Sequence, residues 1–154
     1  MKRVFNRHID ELKKRILIHY GERLVSIVIF GSLAKGTATP ESDLDILLIV
    51  EKLHGRKMKR MEEFIDNIED KIEDTPFYIS PIIKTPEEAF HGSPLFLDMV
   101  YDSIILYDKG GFFKQVIERL RHRLKELGSK RISRGSRWYW ILKPDIKHGE
   151  VFEI

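Results

Sequence analysis

The sequence predicts an α/β (α+β) domain, a small mixed β-sheet flanked by helices. Three observations carry that expectation. Apolar residues recur at helical spacing in three long segments. Short runs rich in Val, Ile and Leu lie among them. The elements follow one another as α-β-turn-β-α-β-α-β-α, instead of collecting into separate helical and strand blocks.

In "RHIDELKKRILIHYGE", Ile9, Leu12, Ile16 and His19/Tyr20 fall at helical spacing, so residues about 5–20 form an amphipathic helix that Gly21 stops. "RLVSIVIF" is a strand rich in β-branched residues. "GSLAKGTATPES" is a turn with room for one short helical turn, and "DLDILLIV" is the second strand. Met61, Phe64, Ile65, Ile68 and Ile72 predict a helix over about 56–73, which Thr75-Pro76 breaks. "FYISPIIKT" is the third strand. Its Pro81 lacks an N–H and calls for an edge position or a bulge. Thr85-Pro86-Glu87-Glu88 reads as a cap, a proline at the first helical position and acids in the first turn. Ser93-Pro94 opens "PLFLDMVYD" in the same way, and "SIILYD" is a fourth short strand. "FFKQVIERLRHRLKEL" sets Val116, Leu120, Leu124 and Leu127 on one face, with Gly128 as its stop. The rest, "SKRISRGSRWYWILKPDIKHGEVFEI", alternates between turn residues and reads as β-like or extended. The expected division is a core over 1–108 and, over 109–154, a C-terminal helix with a basic, aromatic extension.

At 154 residues and 42% hydrophobic, the chain can build one substantial core. The absence of cysteine excludes disulfides and thiolate metal sites. No apolar run approaches the roughly 20 residues that span a bilayer. "MKRVFNRHIDELKK" has no signal-peptide core, so no membrane association and a cytoplasmic home are expected. The six histidines show no H-x-x-x-H spacing, which argues against zinc. Net charge is +3, yet from Gly110 onward eleven Lys/Arg face only five acids. That basic third suits either a polyanion contact or a solvated helix face. Trp138 and Trp140 flank Tyr139 and share a face if the segment is a strand. They serve core packing or, beside Arg134, Arg137 and Lys143, contact with a nucleic acid or a base.

The chemistry concentrates between Gly31 and Asp45. Asp43 and Asp45 stand one residue apart on a strand, so their carboxylates leave the same face while Leu44 and Ile46 point into the core. Paired carboxylates suit a hard divalent cation, above all Mg²⁺, which takes a few carboxylates together with phosphate oxygens and waters. Gly31-Ser32 directly follows a strand. Glycine admits close approach of a ligand, and a free N–H with the Ser hydroxyl can hold phosphate. Gly36 adds a second flexible point. Lys35 lies between the glycines, as a solvated turn lysine or as a phosphate contact. Phosphates at the turn would meet metal at the aspartates, the apparatus of metal-assisted phosphoryl or nucleotidyl transfer.

Gly31-Ser32, ten intervening residues, and Asp43-Leu44-Asp45 resemble the signature of the minimal nucleotidyltransferases of the DNA polymerase β superfamily. The resemblance covers about residues 5–108, including the order helix, strand, turn, strand. It implies the palm-like nucleotidyltransferase fold and ATP or another NTP as substrate. It implies that Gly31 and Ser32 contact the β/γ phosphates and that Asp43 and Asp45 bind one or two Mg²⁺ ions. It also implies an acceptor hydroxyl that displaces pyrophosphate. For small stand-alone members it implies a protein acceptor, commonly a helical HEPN-type partner in a toxin–antitoxin pair, and AMP as the transferred group. The family draws a third carboxylate from the next long strand. Here that strand has no Asp or Glu, and the aligned position is near Ser80. Glu87, Glu88, Asp98 and Asp102 lie further on, either as substitutes or as helix-turn and surface acids. Two other functions stay open at this point: a catalytically weak module of the same fold that masks a partner, and a nucleic-acid binder using the basic C-terminal segment.

Overall fold

In the computed structural model, residues 2–135 and 137–154 are described. Four strands form the central sheet: β1 (Leu24–Phe30), β2 (Leu44–Val50), β3 (Ile79–Lys84) and β4 (Ile104–Asp108). Their order is β3-β2-β1-β4. β1 runs antiparallel to β2 and β4, and β2 runs parallel to β3, so the sheet is mixed. A parallel pair needs a crossover. α3 (Lys57–Asn67) supplies it. Pro81 sits on β3, an edge strand, where its missing N–H costs the ladder nothing.

Two apolar layers enclose the sheet. On one face, Ile27, Ile29, Ile46 and Leu48 pack with Leu12 and Ile16 of α1 (Lys2–Tyr20) and with Phe64 of α3. On the other, Val28, Leu47 and Ile49 meet α4 (Pro86–Phe90), α5 (Leu95–Met99) and α6 (Phe112–Glu126). β1 is therefore buried along its whole length, and β2 is buried everywhere except Asp45. This explains the unbroken apolar runs in both sequences, since strands covered on two faces need no polar alternation. Ser26 is the one buried polar residue among those described. Its hydroxyl donates to Asp108 Oδ1 at 2.7 Å. Asp108 also accepts the backbone N–H groups of Phe113 and Lys114, at 2.8 and 3.1 Å, which ties β1 and β4 to the start of α6.

Some boundaries differ from the sequence reading. β2 begins at Leu44, so Asp43 lies just outside the strand. α3 stops at Asn67, short of 73. Ile68 leaves helical geometry (φ −124°), and the Asn67 side-chain amide donates to the Glu63 carbonyl at 2.8 Å. The tail forms an antiparallel hairpin of β5 (Lys130–Arg134) and β6 (Arg137–Ile141). Trp140 packs against the second apolar layer. Among the described residues, no helix is long and apolar enough to cross a membrane.

Candidate active site

Gly31 begins α2 (Gly31–Lys35), a helix of little more than one turn that follows β1 directly. Its φ of +71° lies in the left-handed region that side chains rarely adopt. A Cβ there would collide with Asp45 Oδ2 and lie 3.0 Å from Asp45 Cγ. The carboxylate thus occupies the space that glycine leaves. α2 closes through Gly36 (φ +76°): the Gly36 N–H donates to Leu33 O at 3.2 Å and the Thr37 N–H to Ser32 O at 2.9 Å. This pair of bonds is a Schellman closure, which needs a left-handed residue. The chain then turns back into β2, with the Thr39 N–H donating to Ser42 Oγ at 2.9 Å.

Asp45 stands between Leu44 and Ile46, which enter the first apolar layer, so strand alternation sends its side chain to the other face. Burial raises the Asp45 pKa above its ordinary value. The neighbouring Asp43 charge raises it further, and Lys35 partly offsets both. The two carboxylates are therefore close enough to repel, with one lysine as partial compensation from the chain.

Across the parallel ladder, Ser80 is paired with Asp45, with its side chain on the same face. The β3 position at which the resemblance implies an acid thus lies beside Asp45 and holds a hydroxyl. Among the described residues, no group of three or more His, Cys, Asp or Glu forms a metal-holding cluster. Three of the later acids have partners of their own. Glu88 forms two hydrogen bonds with Arg60, at 2.8 and 2.9 Å, and closes a capping box with Thr85. Those Arg60 bonds hold its pKa below the ordinary range. Asp102 pairs with Arg131 at 3.7 Å. Asp98 accepts from Trp138 Nε1 at 3.1 Å.

Lys35 is not a solvated turn lysine. Its side chain is only 16% exposed. The ammonium lies 4.0 Å from the Trp138 ring centroid and 3.9 Å from Asp98 Oδ2. Sequence reasoning missed this link between the motif helix and the hairpin, because nothing local signals it. Tyr78 is 81% exposed, and its carbonyl accepts the Leu44 N–H at 2.8 Å beside Asp43. On the first face, a cavity of about 390 Å³ reaches Asp43 and is walled by Phe5, Leu33, Pro40, Pro76 and Phe77.

The "Nucleotidyltransferase domain" family matches residues 7–107, about two thirds of the chain. The chain belongs to this family. The nucleotidyltransferase is 30% identical over 139 residues to a Methanocaldococcus jannaschii protein named "Putative protein adenylyltransferase MJ1305". That match covers 89% of this chain and 95% of the relative. A toxin–antitoxin crystallised with AMP-PNP aligns with TM-score 0.52 at 18% identity, over 77% of this chain and 91% of that one. A spectinomycin adenyltransferase, AAD(9) from Enterococcus faecialis, solved with ATP and spectinomycin, aligns with TM-score 0.52 at 17% identity. There the alignment covers 79% of this chain and 66% of that one. At such identities the two structures speak for a shared fold, and the nucleotidyltransferase has the mixed sheet and flanking helices expected of it.

The donor set suits a hard divalent cation. Two adjacent carboxylates repel each other, one of them half-buried, and Mg²⁺ needs few protein oxygens when phosphate and water complete its shell. Asp43 and Asp45 would hold it. When bound, it would neutralise charge on the phosphates.

Proposed function

We propose that this protein transfers AMP from ATP to a hydroxyl group on a partner protein, with Mg²⁺ held by Asp43 and Asp45 in the cytoplasm. The observation that carries the reading is the fit of the Asp45 carboxylate into the space above Gly31, which brings the phosphate turn and the acidic pair into contact. Gly31 and Ser32 would hold the β/γ phosphates, and Lys35 would add a positive charge. The acceptor oxygen attacks the α-phosphorus, the bond to the β-phosphate breaks, and pyrophosphate leaves. With Ser80 opposite Asp45, β3 offers no carboxylate base to take the proton of the attacking hydroxyl, and slow turnover is the expected consequence.

A protein acceptor is supported by the 30%-identical relative, whose name is that of a protein adenylyltransferase. A HEPN-type helical partner rests on the resemblance to stand-alone members, and the toxin–antitoxin of similar fold agrees with it. The nucleic-acid reading has less support, because Arg131 turns inward to Asp102, Tyr101 and Trp138.

Ser80 favours one second reading: a fold that masks its partner without turnover. Incubation with labelled ATP, Mg²⁺ and the protein encoded by the adjacent gene separates the two. Label on the partner that disappears in Asp43→Asn and Asp45→Asn supports transfer. A tight complex that survives both changes with no label moved supports masking.

A further inference from the structure

The C-terminal hairpin does more than pack on the core. Trp138 of β6 carries two cations on its ring, Lys35 at 4.0 Å and Arg131 at 4.4 Å from the centroid. Its indole N–H donates to Asp98, the same carboxylate that stands 3.9 Å from the Lys35 ammonium. Arg131 continues the chain of contacts to the Tyr101 ring at 4.8 Å, and Tyr101 stacks on Trp140. One end of this ladder is therefore the lysine of the phosphate turn, and the other is Tyr101, just past α5, stacked on Trp140 of the hairpin.

The manner of holding matters. An aromatic face attracts an ammonium without taking a conventional hydrogen bond from it. A carboxylate at 3.9 Å is beyond hydrogen-bond reach. Both contacts therefore restrict where the Lys35 side chain goes without consuming its N–H donors. A free lysine loses rotamer entropy when a ligand fixes it. Lys35 has met part of that cost before any ligand arrives.

We infer that Trp138 is a positioning residue for nucleotide binding: its ring aims the Lys35 ammonium, donors free, at the phosphates of a nucleoside triphosphate. The active site then extends beyond 1–108 and takes one wall from the C-terminal hairpin. This rests on the phosphate role given to Lys35 above.

The test is calorimetric titration of MgATP into the whole protein without its partner, so that no transfer intervenes. Trp138→Leu keeps apolar bulk and removes the aromatic face, whereas Trp138→Phe keeps a face and removes the N–H. Lys35→Ala is expected to weaken MgATP roughly tenfold, the scale of one charged hydrogen bond. Trp138→Leu should weaken it severalfold, Trp138→Phe should recover most of that loss, and Trp138→Leu should add nothing in the Lys35→Ala background. Such non-additivity is what a merely structural tryptophan would not produce. The inference is overturned if Trp138→Leu binds like the wild type while Lys35→Ala does not, or if the two losses multiply in the double variant. Wild-type affinity in Lys35→Ala removes the lysine's phosphate role and the inference with it. The label-transfer assay on Asp43 and Asp45 still judges the proposed reaction separately. Should Trp138→Leu fail to fold, wild-type indole fluorescence carries the test. MgATP must change it in the wild type and leave it unchanged in Lys35→Ala, and any other pattern overturns the inference.

Discussion

Asp45 is held in a position where ionisation is disfavoured, with Asp43 beside it and only Lys35 to compensate. Without divalent cation, its charge therefore costs the fold stability. Its folded-state pKa is raised, so the cost is absent below pH 3.8 and sets in as pH rises through the raised value. Asp45→Asn should accordingly melt higher than the wild type at neutral pH in chelator, with the difference closing as pH falls into the acid range. The same substitution should abolish nucleotidyl transfer. Stability bought at the expense of activity is common at functional sites. Gly31→Ala should lose both stability and binding. The left-handed backbone costs an alanine about 1–2 kcal/mol, seen by urea unfolding, and the collision with Asp45 should remove MgATP binding. Ser80→Asp places an acid across the ladder from Asp45. It should tighten Mn²⁺ binding about tenfold, followed by metal titration, while lowering metal-free stability. All these residues except Ser80 fall within one short motif, which is why the sequence pointed to them directly. Ser80 could be identified as a departure but not placed.

Helix and strand ends show where local chemistry suffices. The Thr85-Pro86-Glu87-Glu88 signal predicts a helix start, and the structure contains that start with both capping-box bonds. Thr85→Ala should cost about 1 kcal/mol in urea unfolding. What the tetrapeptide does not disclose is that Glu88 also grips Arg60 of α3. Because the Glu88 pKa is lowered, its contribution is present above pH 4.5 and disappears as pH falls through the lowered value. Thermal melts of the wild type and Glu88→Gln should therefore differ at neutral pH and converge in acid. Local chemistry was insufficient at α3, where an apolar period extended past Asn67. There a side-chain amide takes the Glu63 carbonyl and Ile68 leaves the helix while remaining buried. Periodicity records which residues face the core, and the 3₁₀ turn over Glu69–Lys71 leaves Ile68 buried and Ile72 half-buried against the first apolar layer.

The central pair β1 and β2 is covered on both faces, and the hairpin lies outside the main sheet. Amide hydrogen exchange should accordingly be slowest in Leu24–Phe30 and Leu44–Val50 and much faster in Lys130–Arg134. The element types, their order and the Gly31–Asp45 constellation could be read from the chain because each depends on contacts close in sequence: periodicity, caps, and a strand–turn–strand unit. The pairing of Ser80 with Asp45 depends on a parallel register that α3 must first bridge. The seating of Lys35 on Trp138 and Asp98 joins the first, middle and last parts of the chain. Neither contact leaves a periodic trace, since hydrophobic patterning encodes which face is buried and not which distant residue meets it. The sequence therefore determined what kind of chemistry this protein carries, and folding decided which side chains stand around it.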